Sequence, residues 1–166
     1  MIRLAVIGMG YVGIPAAALF ADVPGFHVHG IQRRSKRSGW KIDALNRGDN
    51  PIGGDEPGLD ELISRVHEKG TFKVTDDISV VKDADAILID VQTPTESDHQ
   101  PRYESLISVS QQVGQIMRPG TLVCIESTVA PGTTRNLVLP ILEEASGLIC
   151  GQDFSLAFAY ERVMVG

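Results

Sequence analysis

Gly8, Gly10 and Gly13 stand at the spacing G-x-G-x-x-G, between an apolar β-branched run over 2–8 and a helical run over 14–21. The chemistry such a spacing serves is phosphate binding by the main chain. Gly8 permits a tight turn, Gly10 lets the backbone come up to a pyrophosphate, and Gly13 lets the helix pack closely on the strand. The amides of Tyr11 and Val12 then lie at a helix N-terminus, where partial positive charge favours an anion. A glycine-rich turn without a ligand has the same composition, but the flanking strand and helix favour a dinucleotide site.

Further polar residues fall at the ends of apolar runs. Gln32 ends the second strand candidate, about where a dinucleotide site carries an acidic residue for the adenosine ribose. Glutamine still hydrogen-bonds a hydroxyl but lacks the charge that repels a 2′-phosphate. Arg33, Arg34, Lys36 and Arg37 follow at once. NAD is therefore the expected cofactor and NADP the less favoured alternative, while a solvated basic turn accounts for the same cluster equally well. Val91-Gln92-Thr93-Pro94-Thr95 and the run 126–133, containing Ser127, Thr128 and Thr133, follow two more apolar runs. Ligands of open α/β sheets bind at such carboxyl ends, although prolines and threonines there also make turns and caps. Glu161-Arg162-Val163 lies beyond the last strand candidate, where a glutamate has the chemistry of a general base and an arginine that of an anion ligand.

These positions require a scaffold that alternates strands with helices. Strand candidates run over 2–8, 26–32, 71–75, 86–91, 121–126 and 154–159. Helical stripes are Leu59, Leu62, Ile63 and Val66, then Leu106, Val109, Val113 and Ile116, then Leu137, Val138, Ile141, Leu142 and Ala145. Thr133 or Thr134 is the expected cap of the third, and Pro140 within it predicts a bend. The stretch 33–56 is irregular, with one short helix over 41–46. The expected fold is a Rossmann-type, doubly wound, mostly parallel six-stranded sheet with helices on both faces, in one dinucleotide-binding domain over 1–166.

Composition narrows the function classes. The chain has 166 residues, 43% apolar and 22% charged, with a net charge of −6. An acidic chain lacks the basic footprint of a nucleic-acid binder, and no apolar run reaches the roughly 18 residues of a membrane span. No basic and apolar leader precedes Ile2, so a cytoplasmic location is expected. Cys124 and Cys150 read as reduced packing residues. The histidines and cysteines have no metal-ligand spacing, so no metal is expected.

Taken together, the residues resemble the UDP-glucose/GDP-mannose dehydrogenase family. The matching motifs are Gly8–Gly13 with Tyr11-Val12, Leu45-Asn46-Arg47-Gly48 with Pro51-Ile52, Glu56-Pro57-Gly58-Leu59, Thr93-Pro94, Ser127-Thr128-Val129 with Pro131-Gly132-Thr133, and Glu161-Arg162-Val163. Thr93-Pro94 followed by Asp98-His99 and Pro101 is most similar to the branch acting on UDP-N-acetylmannosamine, with the branch acting on UDP-glucose next. The resemblance implies oxidation of a UDP-sugar C6 alcohol to a carboxylate by two NAD⁺ through a cysteine thioester. Neither Cys124 nor Cys150 matches the motif of that cysteine, so the chain is expected to be a truncated, inactive part of a homo-oligomeric enzyme.

By the same resemblance, Tyr11 and Val12 contact the pyrophosphate, Gln32 and Arg37 the adenosine ribose side, and Thr93 and Thr128 the nicotinamide half. Thr128 also helps to position water. Glu161 acts as a base or water-orienting group, and Arg162 and Val163 meet the substrate. The sequence departs from the family at Gln32, where aspartate is common, and at Tyr160 and Val165, where prolines are usual. A dinucleotide-binding module without chemistry is the alternative from another class.

Overall fold

The computed structural model describes residues 1–53 and 56–160. Six strands, β1 (Ile2–Ile7), β2 (Phe26–Ile31), β3 (Phe72–Thr75), β4 (Ala86–Ile89), β5 (Leu122–Ile125) and β6 (Ser155–Phe158), form one sheet in the order β3-β2-β1-β4-β5-β6. Every pairing of neighbouring strands in that sheet is parallel, where a mostly parallel sheet was expected. Each strand lies inside its expected range. The order reverses between β1 and β4, which opens a crevice at the carboxyl ends of those strands.

Alternation along β1 shows why helices cover both faces. Leu4 and Val6 join one buried cluster, and Ala5 and Ile7 join the other. The first face is covered by α1 (Gly13–Asp22), α2 (Trp40–Leu45) and α3 (Leu59–Glu68), which bury Ile14, Ala17, Ala18, Ile63 and Val66. The second carries α4 (Glu104–Ile116) and α5 (Leu139–Ser146), through Leu106, Val113 and Leu142. Gly114 sets the distance between these two helices, since a Cβ there would lie 2.7 Å from the Cβ of Ala145. Cys124 is buried among apolar side chains and Cys150 is half-buried.

Some local expectations need correction. Neither Thr133 nor Thr134 caps a helix with its side chain: a π-helical turn over Thr134–Val138 precedes α5, and Thr133 is buried with its hydroxyl towards Tyr103. Pro140 lies inside a continuous helical run over 133–146, as expected. The π-helical turn just before it, in which the Leu139 amide reaches back to the Thr134 carbonyl, widens the helix where the proline lacks its N–H. A 3₁₀ segment over Ile78–Asp83, for which the sequence pattern assigned no element, is capped by Asp77, which accepts from the Ser79 amide at 2.9 Å. Asp22 at the end of α1 binds both Arg65 and Lys69, fixing α1 against α3.

Candidate functional site

The loop between β1 and α1 assigns each glycine a distinct steric role. Gly8 has φ +113°, and a Cβ there would overlap the Asp90 carbonyl. A Cβ on Gly13 would overlap the carbonyl of Gly8. Gly10 is different: a Cβ there finds no protein atom within 4 Å. The first and third glycines thus close the loop onto β4 and onto itself, while the second leaves its free space for something other than protein. No side chain caps α1 and no carboxylate lies in its first turn, so its positive end is left to the cleft.

That cleft, about 330 Å³, is walled by 10–13 on one side, by 90–93 after β4 and by 126–128 after β5. Its two far walls are tied together. The Ser127 hydroxyl donates to the Val91 carbonyl at 2.8 Å, and the Thr93 hydroxyl donates to the Thr128 carbonyl at 2.6 Å. Tyr103, just before α4, supports the same loop from behind, its phenol oxygen accepting from the Ala130 amide at 2.9 Å. Tyr11, Val12, Thr93 and Thr128 therefore meet around one space, as the spacing predicted for strand ends in an open sheet.

Gln32 lies beside this loop rather than in the cleft wall. Its Oε1 accepts from the Met9 amide at 3.1 Å, and its Nε2 donates to the Ser38 hydroxyl at 3.1 Å and, more weakly, to the Arg33 carbonyl at 3.4 Å. The side chain links the glycine loop to the basic turn and keeps one carbonyl lone pair for a hydroxyl donor. Arg37 is exposed, as are Arg33 and Lys36. Arg34 is turned away, bound to Asp43 and Asp76.

Sequence reasoning missed Lys41. It projects from α2 into the cleft and donates from Nζ to the Met9 carbonyl at 3.0 Å. Burial pushes its ammonium below the ordinary lysine value, and no carboxylate pairs with it among the described residues. A cation placed so against a glycine loop offers charge to a phosphate. Helical period alone put it on a short, irregular helix with no indication of which way it faces. Glu161, Arg162 and Val163 lie outside the described residues.

A second cavity, of about 360 Å³, lies near the start of β1 between Arg3, His29 and Lys82, away from the glycine loop and the strand ends. Among the described residues no cluster of three or more His, Cys, Asp or Glu side chains gathers, and no helix is long and apolar enough to cross a membrane.

Comparison with known proteins agrees with this geometry. Residues 2–166 match the model of the UDP-glucose/GDP-mannose dehydrogenase family, NAD binding domain. The UDP-N-acetyl-D-mannosamine dehydrogenase of Pyrococcus horikoshii is 40% identical over 164 residues, which cover 99% of this chain and 37% of that protein. The crystal structure of an NDP-N-acetyl-D-galactosaminuronic acid dehydrogenase from Methanosarcina mazei Go1 superposes with a TM-score of 0.95 at 51% identity, over 100% of this chain and 36% of that one. A ternary complex of the GDP-mannose dehydrogenase of Pseudomonas aeruginosa gives 0.88 at 30% identity, over 99% and 37%. The chain thus spans little more than a third of the length of each. With a six-stranded Rossmann sheet, a glycine loop open at Gly10 and a match over nearly every residue, this chain belongs to the UDP-glucose/GDP-mannose dehydrogenase family, as its NAD-binding domain.

Proposed function

We propose that the chain is the cofactor half of a nucleotide-sugar 6-dehydrogenase that oxidises the C6 alcohol of UDP-N-acetyl-D-mannosamine to the carboxylate with two NAD⁺. The observation that carries the cofactor role is the free space at Gly10 facing the uncapped start of α1. Support for the sugar comes from the relatives at 40% and 51% identity, both named for N-acetylated hexosamine chemistry. UDP-glucose is the alternative substrate, and the relative named for GDP-mannose marks the breadth of the family.

In this reading the main chain at Tyr11 and Val12 holds the pyrophosphate, and Lys41 supplies a cation beside it. Gln32 and Arg37 face the adenosine ribose. Thr93 and Thr128 would border the nicotinamide of a bound cofactor, whose chemistry there would be that of a hydride acceptor, and would help to hold it within reacting distance of the sugar alcohol. Glu161 serves as a base or water-orienting group for release of the acid, Thr128 helps to place water, and Arg162 and Val163 meet the sugar nucleotide. The nucleophilic thiol, the rest of the substrate site and the homo-oligomer contacts belong to the part of the enzyme that this chain does not span.

The test is an assay of the complete gene product and of this chain with UDP-N-acetylmannosamine and NAD⁺. The complete protein is expected to form two NADH per acid, and this chain none. Turnover by the chain alone, or a complete protein inert towards both UDP-N-acetylmannosamine and UDP-glucose, overturns the proposal.

A further inference from the structure

The turn that follows β2 holds more hydrogen-bond and charge capacity than an NAD ribose uses. We infer that it is a receptor for a 2′-phosphate on the adenosine ribose, so that the domain takes NADP(H) as well as NAD(H). The inference rests on the dinucleotide reading of the cleft.

Position comes first. The end of β2 is where a Rossmann domain meets the adenosine ribose, by a carboxylate when the 2′-hydroxyl is free or by arginine when it carries phosphate. Here the residue is the neutral Gln32, so the charge that would repel a 2′-phosphate is absent.

Hydrogen-bond accounting comes second. The Ser35 and Ser38 hydroxyl oxygens lie 2.9 Å apart. Each oxygen also accepts a bond from elsewhere: Ser38 from Nε2 of Gln32 at 3.1 Å, and Ser35 from the Ser38 amide at 3.2 Å. Two hydroxyl hydrogens are present and one suffices to join the pair, so the other is free to donate outwards. The turn is held in this shape by the Gly39 amide, which donates to the Ser35 carbonyl at 2.8 Å. A Cβ on Gly39 would lie 2.8 Å from that carbonyl oxygen, so the closure needs glycine.

Charge comes third. The chain is acidic, at net −6, yet Arg33, Lys36 and Arg37 stand exposed on this turn without an ion pair among the described residues. The carboxylates of Asp43 and Asp76 that approach the turn are both engaged by Arg34. One arginine therefore engages both neighbouring acids, and the three other cations outweigh the single negative charge it leaves uncancelled, so the turn keeps a net positive charge for an external anion. A phosphate monoester carries close to two negative charges and its oxygens match guanidinium donors.

The experiment is calorimetric titration of the 166-residue chain with 5′-AMP and with 2′,5′-ADP, which differ only in the 2′-phosphate, followed by NAD⁺ and NADP⁺. The expected result is binding of 2′,5′-ADP about tenfold tighter than 5′-AMP, a difference of about 1.4 kcal/mol. Replacing Arg33→Ala and Arg37→Ala together should reduce that ratio to below about threefold, and Gln32→Asp should invert it. If 5′-AMP binds and 2′,5′-ADP binds no better, or if the ratio survives loss of both arginines, the inference fails while the dinucleotide site stands. If neither nucleotide binds, both fail together.

Discussion

The hydroxyl of Thr93 donates to the carbonyl oxygen of Thr128 at 2.6 Å, across 35 residues of sequence, so the loops after β4 and β5 form a single wall of the cleft. Thr93→Val keeps the shape and removes the donor. Because Ser127 still holds Val91, the fold should survive with a loss of about 1 kcal/mol or less. NAD⁺ affinity should fall by about twofold to thirteenfold as the wall loosens, since a lost hydrogen bond of about 0.5–1.5 kcal/mol corresponds to that range. Urea denaturation and calorimetry on one preparation read both, and unchanged affinity would show that the latch does not shape the site.

Two glycines of one motif should respond in opposite ways. Gly13→Ala drives a Cβ into the Gly8 carbonyl and should destabilise the chain by about 1–3 kcal/mol through overpacking. Gly10→Val meets no protein atom and should cost under about 1 kcal/mol, yet it should abolish NAD⁺ binding because its side chain fills the space left for the pyrophosphate. Melting curves and cofactor titrations of both variants separate the steric roles.

Lys41→Met should weaken NAD⁺ binding by about tenfold, the loss of one charge-assisted phosphate contact of roughly 1.5 kcal/mol. It should not lower the urea midpoint, because a half-buried ammonium has already given up part of its hydration. In the wild type, burial holds the Lys41 ammonium below its ordinary value, so affinity should decline as pH rises through that lowered value. The methionine variant should lose this decline.

Asp22 gives a pH test of the α1–α3 contact. The Arg65 guanidinium first, and the Lys69 ammonium second, hold its carboxyl well below the usual carboxylate range. A depressed carboxyl contributes stability above its unfolded value, about 3.9, and loses it as pH falls towards the folded value. Asp22→Asn should therefore lower the urea midpoint at pH 7, and its difference from wild type should shrink below about pH 4. A constant difference across that range would assign the effect to packing instead.

Short-range pattern sufficed for the scaffold and for the location of the site. Alternating runs such as Leu4 to Ile7, the stripe Leu59, Leu62, Ile63 and Val66, and the glycine spacing each depend on neighbours within a turn or two of chain. Strands, helices, a mostly parallel sheet and the meeting of Tyr11, Thr93 and Thr128 follow from those periods and from the rule that ligands gather at strand carboxyl ends. The motifs also carried the family resemblance.

Side-chain partners were decided only by the folded chain, because they join residues that no local period relates. Gln32 reaches the Met9 amide over 23 residues, Lys41 the Met9 carbonyl over 32, and Arg34 reaches Asp76 over 42. From composition, the basic turn read as four equivalent cations. In the structure one of them is spent on Asp43 and Asp76 and the others remain exposed. Pro140 shows the same limit in the backbone: helical period placed it inside a helix, and only the structure shows the π-helical turn that precedes it there. Period and propensity act through contacts a few residues apart, whereas the partner of a buried or charged group is set by which strands and helices the sheet order brings together.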